Sequence, residues 1–271
     1  MKALLLLSLF TACLFTAPAQ KITTRNDFKK FFDEYGVKGS ISIYDLKADK
    51  YILYNKAQFK QQFIPASTFK IYNSLIGLQT GVIPDENYVI KWDGVKHDNE
   101  EWNKDQTLES AFKVSAYWYY QELARRVGSN LMNLWIKKIK YGNQNIGGGI
   151  DQFWLHGNLR ITPREQINLL RKLYSGSLPF SKRNMDIVKR IMIQQKTDEY
   201  TLRGKTGWAQ TETRKKEIKE NTGWFTGYVE TKDNVYFFAT CVQYTGTENK
   251  NFIKCRKEIS LKALKELGII K

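Results

Sequence analysis

The strongest constraint on this chain is where its strand-like segments lie. "GSISIYDL" (39–46) and "YILYN" (51–55) stand near one end, and "YTLRGKTGWA" (200–209), "TGWFTGYVET" (222–231) and "VYFFATCVQY" (235–244) near the other. A short turn joins the first pair and "KDN" joins the last pair, so both read as hairpins. Between about Pro65 and Lys196 the apolar spacing is helical, with candidates at 67–80, 107–113, 117–127, 129–139, 163–174 and 182–194. A helix also fits "TRNDFKKFFDEYG", with Phe28, Phe31 and Phe32 on one face and a stop at Gly36, and another fits 251–267, ending at Gly268. Strands at both ends with helices between them predict an α/β (α+β) fold. Its mainly antiparallel sheet is formed from both chain ends and flanked by helices, with an all-helical subdomain inserted. The expected sheet part is 20–62 plus 197–271, the helical part 63–196, and the whole of 20–271 one catalytic domain. A cleft between the two parts is the default place for a site.

Residues 1–19 differ from the rest. After Met1 and Lys2 comes the apolar run "ALLLLSLFTACLF", and Ala17 and Ala19 stand at the small-residue positions before a cut. This predicts a secretory signal peptide and a periplasmic protein. A second reading takes "FTAC" as a loose lipobox with Cys13 lipidated, against which Phe10 is an unusual residue. No later window is apolar enough to span a bilayer, so no stable membrane insertion is expected. Beyond the signal only Cys241 and Cys255 remain, enough for one disulfide or for two buried thiols.

The formal charge is +16 and the pI about 9.6. A polyanion-binding protein is one class this admits, but the lysines are spread along the chain. The densest cluster, "RKKEIKE" at 214–220, is interrupted by acids and reads as a solvated ribbon tip. With only His97 and His156, far apart, the chain offers no histidine metal site and no choice of Ser-His-Asp members. "GGG" at 147–149 lacks the Lys-Ser/Thr of a phosphate loop.

"FIPASTFKIYNS" (63–74) places Ser67 one helical turn ahead of Lys70 among Phe63, Ile64, Phe69, Ile71 and Tyr72. The spacing alone is weak, since Ser110 and Lys113 repeat it. The apolar setting is what separates the first pair. A serine needs a base, and lysine serves only when it is neutral. Lowering its pKa by about three units costs ~4 kcal/mol, which burial can supply. A neutral amine can also add carbon dioxide and become a carbamate. "KTG" (205–207) then offers a cationic Lys205 and the Thr206 hydroxyl for a substrate carboxylate. The N–H of Trp208 with that of Ser67 would make an oxyanion hole, worth on the order of 3 kcal/mol per donor. Between them lie "KVSAYWYYQ", with Ser115, and "YGNQNIGGGIDQFWL", with Tyr141, Gly142, Asn143 and Trp154. Singly these read as a cap, a turn and a core aromatic.

Taken in order, "STFK", the serine of an S-x-V element, "YGN", "FWL", "KTG", "GWFTG", and a closing R-x-x-I with "LGII" make the chain from about residue 37 onward resemble the class D (oxacillinase-type) serine β-lactamases. The resemblance implies the serine β-lactamase/penicillin-binding fold and hydrolysis of the β-lactam amide, with resistance as the consequence. It implies Ser67 as the acylated nucleophile and a carbamylated Lys70 as general base in both half-reactions. Trp154 would hold the carbamate, and Ser115 would pass a proton to the leaving nitrogen. Lys205, Thr206 and Arg256 would bind the substrate carboxylate, with Gly207 and Trp208 beside them on the strand. No metal and no cofactor are implied beyond the carbon dioxide or bicarbonate that modifies Lys70. The SDN element of class A relatives is missing. The expected partner is a small β-lactam, with no nucleic acid; a homodimer is left open. The chain departs from the pattern at Tyr117, where the element has valine, followed by Trp118 and Tyr119. A phenol there is expected to contact the substrate region, narrowing water access or adding a hydrogen bond. It keeps open a rival, a penicillin-binding or β-lactam-sensing protein acylated at Ser67 that deacylates slowly.

Overall fold

The computed structural model describes residues 21–212, 219–246 and 249–271. The signal peptide, Cys13 and most of the 214–220 cluster lie outside the described residues. The first elements are β1 (Lys21–Thr24), α1 (Lys29–Asp33), β2 (Lys38–Asp45), β3 (Lys50–Tyr54), α2 (Lys70–Gln79), β4 (Val89–Ile90) and β5 (Gln106–Thr107). Five helices follow, α3 (Leu108–Val114), α4 (Tyr117–Val127), α5 (Ser129–Lys138), α6 (Pro163–Ser175) and α7 (Lys182–Ile191). The chain closes with β6 (Ile193–Lys196), β7 (Tyr200–Glu212), β8 (Lys219–Thr231), β9 (Val235–Thr245) and α8 (Phe252–Glu266).

Seven strands form one sheet in the order β1-β3-β2-β9-β8-β7-β6, so the two ends of the chain meet where β2 pairs with β9. Every pairing is antiparallel except that of β1 with β3. The two-residue side-chain period of the central strands feeds two cores. In β9, Phe237, Ala239 and Cys241 face the helices of the middle of the chain, whereas Phe238 and Val242 face α1 and α8. In β8, Trp224 and Tyr228 take the first side and Phe225 and Val229 the second. α2 runs through the first core with every residue from Lys70 to Leu78 buried, as expected of a helix with no solvent face.

Several expectations change. The helix expected over 182–194 stops at Ile191, and the next residues leave it to pair with β7 as β6. With β4 and β5, which pair with each other, β6 also puts strands inside the stretch expected to be all helical. β1 and β6 lie at the sheet edges and are mostly exposed, so neither carries a burial alternation. The first helix splits into a 3-10 turn at Asn26–Phe28 and α1. Cys241 and Cys255 are free and buried, and they belong to cores on opposite faces of the sheet, which rules out a bridge between them.

Candidate active site

The segment before α2 is fastened on three sides. Phe63 forms a bridge with Ile161, the Trp224 indole N–H donates to Ile64 O at 2.8 Å, and Gln166 Nε2 donates to Thr68 Oγ1 at 2.8 Å. Thr68 Oγ1 in turn donates to Pro65 O at 2.7 Å. These anchors hold Ala66 at φ 48°, a left-handed conformation that is strained for a residue with a Cβ. Ser67, half-buried, therefore sits in a 3-10 turn (Ala66–Phe69) just ahead of α2 rather than within the helix expected over 67–80.

The turn rests on the edge of β7. β6 pairs only with residues 201–203 of that strand, so the rest of the edge is open. A Cβ on Gly207 would lie 3.0 Å from Pro65 O and 3.3 Å from Thr68 N, so glycine is what permits this approach. Gly204 N donates to Met192 O on the same edge, and the two-residue period points the N–H of Trp208 the same way, toward the Ser67 turn.

Lys70 is the first residue of α2 and is fully buried. Its Nζ donates to Ser115 O at 2.6 Å and to Ser115 Oγ at 3.0 Å, and lies 5.1 Å from the centroid of the Tyr120 ring. Burial, followed by the positive charge of Lys205, holds its pKa well below the usual lysine value. A neutral amine has two N–H groups and one lone pair; here both donors go to Ser115, which leaves the lone pair free to act as a base.

Lys205 is also buried; its Nζ donates to Ser115 Oγ at 3.0 Å and to Thr206 O at 3.3 Å. Burial and then the charge of Arg256 bring its pKa down to about 7. Arg256, on α8, donates through Nη1 to Gly207 O at 2.6 Å and is lowered to about 10 by burial. Its stem crosses Gly223, where a Cβ would lie 2.7 Å from Arg256 Cδ. Among the described residues no carboxylate perturbs Lys70, Lys205 or Arg256, so the buried Lys205 and Arg256 leave the pocket short of an anion. Ser115 joins the two lysines from the end of α3, in the left-handed region at φ 61°, ψ 34°.

Trp154 is buried with its ring 5.7 Å from that of Phe69, and its indole N–H has no acceptor among the described residues. The indoles of Trp102, Trp118, Trp208 and Trp224 each find an oxygen. A buried donor left over in this way is a place for an acceptor. Thr206 is half-buried beside Lys205, and Trp208 is 41% exposed at the rim, its Nε1 on Asn221 Oδ1 at 3.0 Å.

Tyr117 packs on the loop that carries His97 and Trp102. Its hydroxyl meets His97 Nδ1 at 3.2 Å and its ring packs edge-on against Trp102. Ser110 and Lys113 are not a second site: the Ser110 hydroxyl belongs to the capping box of α3 and Lys113 is exposed. One positioning group escapes a motif reading, whereas Trp224 stands within the "GWFTG" element. Gln166 is a polar residue on the apolar stripe of α6 with Leu169, Leu170 and Leu173, and that misfit is its one visible signal.

An accessible serine on a strained turn, a buried lysine one turn on and a cationic strand edge together define a serine acyl-transfer site. Residues 23–265 match the family model of the penicillin binding protein transpeptidase domain. The probable β-lactamase YbxI of Bacillus subtilis (strain 168) is 45% identical over 232 residues, 86% of this chain and 82% of that relative. The class D β-lactamase YbXI structure from Nostoc superimposes with a TM-score of 0.84 at 44% identity, covering 91% of this chain and all of that one. The regulatory protein BlaR1 of Bacillus licheniformis is 36% identical over 90% of this chain, which spans 39% of its length. The chain belongs to the penicillin-binding transpeptidase family, in its class D serine β-lactamase branch.

Proposed function

We propose that the protein hydrolyses the amide of penicillin-type β-lactams through an acyl ester on Ser67, with Lys70 as general base in both half-reactions. The observation that carries this reading is Lys70 itself, fully buried, without an acid partner among the described residues and one turn beyond an accessible serine. Lys205, Thr206 and Arg256 bind the substrate carboxylate, which supplies the negative charge the pocket lacks. Ser67 Oγ attacks the lactam carbonyl while Lys70 removes its proton, and the oxyanion forms between the N–H groups of Ser67 and Trp208. As the C–N bond breaks, Ser115 hands a proton to the leaving nitrogen and takes back from Lys70 the one drawn from Ser67, a relay supported by its contacts with both amines at 3.0 Å. In the second half-reaction Lys70 draws a proton from water, the hydroxide attacks the ester carbonyl, and the proton returns to Ser67 Oγ as the C–O bond to it breaks.

Carbon dioxide added to Lys70 would supply an oxygen base at this position. The residues fit that group, because the buried indole N–H of Trp154 lacks an acceptor and the Lys70 amine favours its neutral form. Tyr117 contributes at the substrate side by fixing the wall that contains His97 and Trp102. The protein works in the periplasm, exported by residues 1–19; among the described residues no helix is long and apolar enough to cross a membrane.

The kinship with BlaR1 favours one rival, a receptor that is acylated and stays so. Turnover of a chromogenic cephalosporin separates the two. Many turnovers per protein, increasing with added bicarbonate, are expected; a single stoichiometric burst would establish the receptor instead.

A further inference from the structure

We propose that Trp102 is a positioning residue for Ser115, holding the peptide on both sides of the Ser115 turn; this rests on the roles given above to Ser115 and Lys70. α3 ends at Val114, and the last carbonyls of a helix have no donor of their own. The Trp102 indole N–H supplies one, donating to Val114 O at 3.0 Å. On the other side of the turn, Trp118 Nε1 donates to Trp102 O at 2.9 Å, and the Tyr117 ring meets the Trp102 ring edge-on at 5.0 Å. Trp102 thus grips residue 114 with its side chain and residues 117 and 118 with its carbonyl and ring. Ser115 between them is held in the left-handed region, which a residue other than glycine adopts only where its surroundings impose it. That conformation presents both Ser115 O and Ser115 Oγ to Lys70.

The grip comes from a braced loop. Asn103 ties the loop to His97 in both directions, Oδ1 accepting from His97 N at 2.7 Å and Nδ2 donating to His97 O at 2.9 Å. Gln106 Nε2 donates to Glu101 O at 2.7 Å, and His97 closes the cluster against the Tyr117 hydroxyl. The aromatic pair Tyr117–Trp118, which departs from the S-x-V pattern, therefore has a shared purpose: each side chain docks on Trp102.

Trp102→Phe keeps an aromatic ring and removes the N–H. Its maximal acylation rate, measured by stopped flow, should fall about tenfold, as expected for one part-buried hydrogen bond to a site that must hold its geometry. The factor should be the same for a penicillin and a cephalosporin with different side chains, with substrate affinity nearly unchanged. In a Ser115→Ala background most of the loss should vanish. Trp118→Phe, which frees Trp102 O, should slow acylation less and in the same direction, and it carries the test if Trp102→Phe does not fold. Acylation at the parental rate, a loss confined to affinity that varies with the substrate side chain, or an equal loss in the Ser115→Ala background would each overturn the proposal. The two readings fail differently. If Ser115→Ala acylates at the parental rate, the role of Ser115 is wrong; if it is slow while Trp102→Phe is not, only Trp102 is misassigned.

Discussion

Ser67 with Lys70 and Ser110 with Lys113 share a spacing and nothing else. Lys113 lies in the last turn of α3, where the helix dipole welcomes a positive charge, and its side chain is in solvent. Lys70 opens α2, where the dipole opposes a positive charge, and it is sealed from water. Ser110 spends its hydroxyl on the start of its own helix, accepting from Thr107 N at 2.9 Å and donating to the side-chain Oε1 of Gln106 at 2.6 Å. Ser67 has no side-chain hydrogen bond among the described residues and stands on a strained turn at the sheet edge. Chemistry here is set by burial and by the helix end, and the four-residue motif only permits it.

The sharpest way to break the contrast is to remove each hydroxyl. Ser67→Ala should lower kcat/KM by on the order of 10⁴-fold or more, as for other acyl-transfer nucleophiles. Ser110→Ala should leave it within about twofold; comparable losses for the two would place the nucleophile wrongly. The lysines come next. Lys70→Ala should accumulate an acyl-enzyme visible by intact-mass spectrometry, with hydrolysis reduced by about 10²-fold or more, the scale of a lost general base. Lys113→Ala should turn over like the parent, and parental hydrolysis by Lys70→Ala would remove the base from the account.

The smallest effect is on stability. Lys70 and Lys205 both have folded pKa values below the ordinary 10.5, with Lys205 at about 7, so the unfolded chain binds more protons between those values and 10.5. Stability should therefore climb as pH rises from about 7 toward 10. Lys70→Met should be more stable at pH 7 by about 1–3 kcal/mol and show a shallower climb, read from urea midpoints at pH 7 and 9.5. A parent whose midpoint falls over that range would contradict the direction.

Much of this architecture was open to reading because the central strands are apolar and aromatic runs bounded by turn residues, buried on both faces, and the helices carry apolar stripes. The meeting of the chain ends in one sheet follows from that pattern. β1 and β6 escaped because edge strands with exposed faces leave no alternation to read. Of the site, the types and order of Ser67, Lys70, Ser115 and Lys205 were legible. What was not legible is geometry: nothing in an alanine announces a positive φ at residue 66, and nothing in Trp154 says that its N–H lacks an acceptor. Arg256 reaches the strand only because Gly223 leaves room, and no spacing rule contains that fact. The contact of the Tyr117 phenol with His97 and the packing of its ring on Trp102 were likewise not legible.

The ionisation of Lys70 at neutral pH can be measured by NMR titration of 13Cε-labelled lysine in bicarbonate-free buffer, with Lys70→Ala used to assign the signal. The account predicts a Lys70 resonance that titrates well below 10.5. A Lys70 signal that titrates with the surface lysines near 10.5 would contradict it.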